Sequence, residues 1–378
     1  PDAEGMLGAY LYFADAIPGL IKIFAKLLFI PSGDRDRGLE MLTYGATHPG
    51  LFTEDYKTIL AAVDLVFEGK FEAGTARFVS LLDEYPYYTR LAEPIGVVVP
   101  FSPLDRRRLG EIQARAIADY LSLDNPSRDW STLQRVRLNR AFSEMYFGSP
   151  SEAMELFAEL LESPPDYPDW FLPIALLNRG YFLQKTGERA QALAAYEKVR
   201  SSAAMSFYHG VANIMLESLN GSVKTVRLDD LGFIKQIYDG RIDDAEAGLR
   251  SYEREYGVDA MSSFYAGDIE IFKQNFPEAR RAYERALDAA ESGGDQIYQM
   301  FSAIRLAELA GMDGDFGRAR EHLEHAKKYC HANYLLDFMV RSRDRYFQLL
   351  DEGTIDVPPT MLIRGAVGAG NPSSSPGR

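Results

Sequence analysis

Thiols are almost absent from this chain. Among 378 residues only Cys330 carries one, so no intrachain disulfide can form and the fold must stand on its core. That is compatible with the cytoplasm and with a periplasm in which this protein uses no disulfide. Histidine is scarce as well, with five residues, and tryptophan occurs twice. Positive charge is in deficit: 41 Lys and Arg face 55 Asp and Glu, a formal net charge of -14. A nucleic-acid binder needs a basic footprint to displace counterions from phosphates, so this balance excludes that class. It also argues against broad adhesion to an anionic membrane surface. Arg106-Arg107-Arg108 is the one local basic run, and it reads as a solvated helix start after Pro103. The N-terminal residue is Pro1 rather than Met, as expected of a processed or partial chain whose targeting peptide is out of view.

A long hydrophobic run is missing too. The most apolar stretch is Ile17-Pro18-Gly19-Leu20-Ile21-Lys22-Ile23-Phe24-Ala25-Lys26-Leu27-Leu28-Phe29-Ile30-Pro31. Between its prolines it is about a dozen residues long, whereas a spanning helix needs about 20. Lys22 and Lys26, four apart, share one face of a helix, and no small-residue cleavage site follows. We read a helix packed by the fold, with an interfacial, membrane-touching helix as the alternative. Ile23, Phe24, Leu27 and Leu28 are then the membrane or partner contacts.

Strand-like alternation is also lacking over most of the chain, and a helical repeat takes its place. In 177–199, Gly180 offers a close crossing point, Gly187 ends the first helix, and Ala192, Tyr196 and Val199 recur on one face of the second. Equivalent series are Ala62, Gly69, Gly74, Phe78, Leu81; Ala141, Gly148, Ala153, Phe157, Leu160; Gly267, Ala279, Tyr283, Ala286; and Ala307, Gly314, Ala319, Leu323, Ala326. Gly240, Ala245 and Leu249 form a weaker copy, and Gly33, Gly38 and Leu42 an opening one. This series resembles the tetratricopeptide repeat (TPR), a helix-turn-helix unit of about 34 residues. The resemblance implies an all-α, right-handed solenoid of stacked antiparallel hairpins, about seven or more, over 1–350, followed by an extended, mobile tail over 351–378. The chain departs from the family in lacking the tryptophan usual near the start of the first helix. Gly8-Ala9-Tyr10-Leu11-Tyr12-Phe13 and Ser32-Gly33-Asp34-Arg35-Asp36-Arg37-Gly38-Leu39-Glu40 also resemble uncharacterised bacterial cell-envelope TPR proteins. That resemblance implies a bacterial periplasm or cell envelope, with the cytoplasm as the alternative.

Irregular connections interrupt the array near 87–103 and 220–230. Glu93-Pro94-Ile95-Gly96-Val97-Val98-Val99-Pro100-Phe101 reads as extended, because a β-branched run between prolines resists helix. Little points to chemistry. His322, His325, Cys330 and His331 are zinc-type ligands, yet the first and last stand about 13 Å apart along one helix at 1.5 Å per residue. We expect no metal site and no cofactor. Asp313-Gly314-Asp315 lacks the further oxygen ligands of a calcium loop and reads as an interhelix turn. Asp166-Tyr167-Pro168-Asp169-Trp170 reads as a helix start with Asp169 near the N-cap. No phosphate loop, dinucleotide fingerprint or nucleophile elbow occurs.

Binding is therefore the expectation. The first helices of successive units line a concave surface in such solenoids. The register puts Arg135, Asn139, Asn178, Tyr181, Lys185, Tyr265 and Arg305 there, residue types suited to gripping a peptide; their being satisfied within the superhelix is the competing reading. The expected function is a non-enzymatic protein–protein interaction scaffold, an adaptor or assembly factor, that binds proteins or peptides, with no small-molecule substrate. The alternatives are a structural subunit of a large membrane-associated complex and an enzyme on a helical-hairpin scaffold.

Overall fold

The computed structural model describes residues 1–16, 33–64, 68, 70–85, 114–115, 118, 122, 130–162, 171–202, 206–219, 225–328, 344, 347–348 and 351–352. Several expectations lie outside these residues: the apolar 17–30 segment with Ile23, Phe24, Leu27 and Leu28, the extended 93–101 stretch, Arg106–Arg108, Asp166–Trp170, Cys330 with His331, and the tail from 353. The chain divides into two compact units, Pro1–Pro86 and Tyr87–Arg378. Among the described residues every regular element is a helix, as the all-α, TPR-like hairpin reading requires.

The first unit contains α1 (Asp2–Ala16), α2 (Arg35–Thr47), α3 (Thr53–Ala62) and α4 (Phe71–Glu84). Helices α1 and α2 lie almost backbone to backbone. A Cβ on Gly8 would stand 2.4 Å from the Leu42 nitrogen, and one on Gly38 2.6 Å from that of Tyr12. Only hydrogen fits at such a crossing, which is why this pair is glycine-rich. Around the crossing, Tyr12, Leu42, Ala46, Tyr56, Leu60 and Val63 form the core. Asp2 ties the start of α1 to α3: its carboxylate accepts from the backbone N–H groups of Leu51 and Phe52 at 3.0 and 3.1 Å. Those two bonds hold its carboxyl below the ordinary range. A second buried tie joins Glu68 to the Tyr12 hydroxyl at 2.5 Å and to the Arg35 guanidinium.

The second unit contains α5 (Trp130–Phe147), α6 (Pro150–Glu162), α7 (Phe171–Lys185), α8 (Arg189–Arg200), α9 (Ser206–Ser218), a 3-10 turn (Leu228–Leu231), α10 (Gly232–Tyr238), α11 (Ile242–Tyr256), α12 (Ala260–Phe272), α13 (Phe276–Gly293), α14 (Gln296–Met312) and α15 (Phe316–Lys327). Within 130–218 and within 228–327 each helix packs on the next. The repeat residues read from the sequence form the hairpin interfaces: Ala153, Phe157, Leu160, Ala192, Tyr196, Val199, Ala279, Tyr283, Ala286, Ala319, Leu323 and Ala326 are all fully buried. Gly180 faces the ring of Tyr196 and Gly267 that of Tyr283, where a Cβ would come within 2.5 and 2.4 Å. The small residue of the first helix thus makes the socket for the tyrosine of the second.

The hairpin turns repeat as well. Gly187, Gly240 and Gly314 all adopt left-handed φ, at 82°, 75° and 78°. In each turn the following N–H reaches five residues back, as from Glu188 to the Leu183 carbonyl at 2.8 Å and from Asp315 to that of Ala310 at 3.0 Å. The α12–α13 turn has the same bonds but puts Gln274 in the left-handed seat, at φ 61°. The irregular 220–230 connection is tied in at its end: the Val226 N–H donates to the Lys185 carbonyl at 2.8 Å, closing the end of α7.

Candidate functional site

The first helices of the hairpins are apolar all round, and a helix of that kind is buried on every side. From Tyr298 to Gly311 every residue of α14 is buried, and α7 and α12 are nearly as enclosed. Neighbouring hairpins cover one side of each. The other side is covered by the chain turning back on itself, so that α5 and α7 face α10, α12 and α14. Tyr146 meets Phe182 at 5.9 Å and Phe301 at 5.1 Å between ring centres. Phe147 meets Tyr238 at 5.4 Å and Phe301 at 5.8 Å. Phe264 and Tyr298 complete the set. Three of these six contacts are edge-on and three are tilted, and edge-on approach is a geometry that ring quadrupoles favour.

Two polar clusters sit in this interior. The first gathers around Asp295, the residue that caps α14. Its carboxylate accepts from the Tyr181 hydroxyl at 2.8 Å and from Lys185 Nζ at 3.0 Å. Lys185 also lies 5.3 Å from the centre of the Tyr181 ring. Burial works against the ammonium charge of Lys185, but Asp295 and Asp259 outweigh it and raise its pKa. Burial, then Asp295, push the Tyr181 phenol far above its ordinary range. Beside them the Tyr146 hydroxyl donates to Asn178 Oδ1 at 3.1 Å, and Asn178 Nδ2 donates to the Ile174 carbonyl at 2.8 Å. Tyr265 donates to the Tyr146 carbonyl at 2.7 Å.

The second cluster centres on Asp268. It accepts from the hydroxyls of Tyr283, at 2.6 Å, and Tyr238. Arg305 Nε lies 3.2 Å from the same carboxylate, and Arg305 Nη1 donates to Glu308 at 3.0 Å. All three charged groups are buried. Burial opposes the guanidinium charge, but Asp268 and Glu308 overcome it, and the arginine pKa stands well above its usual value.

The structure therefore brings Asn178, Tyr181, Lys185 and Tyr265 into one neighbourhood and puts Arg305 in the other. Each of these side chains has a polar partner within the fold. Asn139 is buried on α5. Arg135 lies on the same helix, but its side chain is outside the described residues. The sequence reading missed Asp295 and Asp268, the acceptors that organise both clusters. Asp295 follows Gly293-Gly294 and looks like a helix cap, a role it also has. The available signal was the apolar circumference of α7, α12 and α14, which leaves no wet inner side for their few polar residues. Among the described residues no three His, Cys, Asp or Glu side chains are grouped to hold a metal ion. Asp313–Asp315 is the α14–α15 turn, with Asp315 capping α15.

Residues 259–329, the span from α12 through α15, match the family model described as tetratricopeptide repeat. No curated protein and no solved structure matches the chain.

Proposed function

We propose that this chain is a non-enzymatic protein–protein interaction scaffold, an adaptor or assembly factor of a bacterial cell envelope. The observation that carries the reading is the pair of hairpins over 259–329, which match the tetratricopeptide repeat and stack in sequence order on the preceding hairpin, α10 and α11. Repeats of this kind bind other proteins through faces built from several units. The net charge of -14 favours partners with basic patches. The envelope setting rests on the resemblance of the 8–40 region. The inner-face set Asn178, Tyr181, Lys185, Tyr265 and Arg305 would reach a peptide only by exchanging its present partners for it, so the outward faces of the hairpins are the first surfaces to test.

Exposed Leu51, Phe52 and Tyr44 in the first unit favour a second reading, a structural subunit of a membrane-associated complex. One experiment separates the two. The full chain is captured from native membranes and from cytosol, and its partners are identified by mass spectrometry. A stoichiometric partner that dissociates without detergent supports the adaptor. Reproducible capture of one membrane complex supports the subunit. A chain that comes down alone from both fractions overturns both.

A further inference from the structure

The loop between α2 and α3 turns its polar backbone inward. His48 N–H donates to the Tyr44 carbonyl at 3.0 Å, and Pro49 has no N–H to offer. Gly50 N–H donates to Thr53 Oγ1 at 2.8 Å, and that hydroxyl donates to the His48 carbonyl at 3.0 Å. The N–H groups of Leu51 and Phe52 go to the Asp2 carboxylate of α1 at 3.0 and 3.1 Å. The Phe52 carbonyl accepts from the Tyr56 N–H at 3.0 Å. The His48 ring stacks on that of Tyr44, with 3.8 Å between centres. The loop is thus fixed by partners in all three helices around it.

Its side chains do the opposite. Leu51 is 82% exposed and Phe52 40%. Tyr44, also exposed, stands where α2 runs into the loop. Turn residues are ordinarily polar or small; this loop presents leucine and phenylalanine on a backbone that is already ordered. Docking such a tip loses little of the conformational freedom that a flexible loop gives up on binding, and aromatic residues are enriched in the cores of protein interfaces.

Charge selects the occupant. Residues 1–16 and 38–56 supply α1, most of α2, the loop and the start of α3. They contain no Lys or Arg and hold Asp2, Glu4, Asp15, Glu40, Glu54 and Asp55. Glu54 is paired with Lys57 at 2.8 Å. Glu40, one turn before Tyr44 on the same helix face, and Asp55, just beyond the loop, are exposed. A two-fold contact with a second copy would bring these acids against themselves, and an anionic bilayer would repel them. A protein surface edged with lysine or arginine would be attracted.

We propose that Leu51 and Phe52, with Tyr44 beside them, are a docking knob for another protein, whose complementary surface is an apolar pocket rimmed by lysine or arginine. The inference rests on the interaction-scaffold reading above and gives it a surface and a partner chemistry.

The test puts a photoreactive side chain on the tip. The full chain with Phe52→p-benzoylphenylalanine is irradiated in an extract of native cells, and the attached peptide is sequenced by mass spectrometry. Leu193, exposed on α8, is replaced in the same way for comparison. The expected product joins residue 52 to one other protein, at an apolar site with Lys or Arg within a few residues. Its yield should fall about tenfold when Leu51→Ser is added, and about tenfold with Glu40→Lys and Asp55→Lys together. All three positions are exposed, and melting followed by circular dichroism checks that each variant is folded. A yield unchanged in either variant overturns the proposal, as does attachment to an acidic peptide. Attachment to a second copy assigns the tip to self-association and overturns it. Flotation of the chain on phosphatidylcholine vesicles, lost in Leu51→Ser, assigns the tip to lipid and overturns it too. No attachment at residue 52 also overturns it; the scaffold reading then stands if residue 193 or the capture experiment finds a partner, and falls as well if neither does.

Discussion

The hydroxyl of Tyr265 donates to the main-chain carbonyl of Tyr146 at 2.7 Å, across 119 positions of sequence. That bond joins the end of α5 to the middle of α12 and marks where the early hairpins of the second unit meet the late ones. Tyr298 sits on the same hydroxyl at 3.4 Å. Tyr265→Phe keeps the ring and removes the donor, leaving a buried carbonyl short of a partner. The expected loss is about 1–2 kcal/mol of unfolding free energy, measured by urea titration. An unchanged midpoint would mean that the contact carries no stability.

Asp295 should matter more than its place in a turn suggests. It caps α14 and holds both Tyr181 and Lys185. Asp295→Ala is expected to cost about 2–4 kcal/mol, combining the lost cap with a largely buried cation deprived of its counter-charge. Lys185→Met in the same background should then cost much less than it does alone. Strict additivity of the two substitutions in a double-mutant cycle would sink the idea that the pair acts as a unit.

The α12–α13 turn holds a stabilising substitution. Its three counterparts use Gly187, Gly240 and Gly314 in the left-handed conformation, whereas Gln274 adopts φ 61° with a side chain attached. That conformation crowds Cβ against the following carbonyl. Gln274→Gly is expected to raise stability by up to about 1 kcal/mol, the relief of strain outweighing the added freedom of the unfolded chain. Thermal unfolding reads this directly, and a lower midpoint would contradict it.

His322 supplies a pH dependence. Burial, then Arg318, His325 and Arg280, hold its pKa below the ordinary histidine value, with Glu321 opposing. The folded chain therefore prefers the neutral ring. The unfolded chain takes up its proton near pH 6.5, so stability falls as pH drops below that value and levels off once the folded histidine protonates. His322→Gln should lose less of its melting temperature between pH 7.5 and 5.5 than the unmutated chain. An equal loss would place the acid sensitivity elsewhere.

Much of the fold was readable because hairpin packing is local. A small residue, a turn glycine and an aromatic at fixed helical steps report contacts made within a few tens of residues, and Ala192, Tyr196 and Val199 lie buried where those steps put them. Gln274 shows how such a reading slips: the turn there keeps its hydrogen bonds while its residue hides the pattern. The candidate site was less legible. Asn178 and Tyr181 were rightly read as first-helix residues, but no local spacing says what stands opposite them.

By itself the sequence determined the helical class, the hairpin unit, the turns that carry a glycine and the residues those hairpins bury between their own two helices. Tertiary structure alone decided that the second unit turns back on itself, that Asp295 meets Tyr181 and Lys185, and that Asp268 holds Tyr238, Tyr283 and Arg305. Helical periodicity is a property of neighbours in the chain. The curvature that brings α14 against α5 and α7 is the accumulated result of many small packing angles, and no single residue spacing records it.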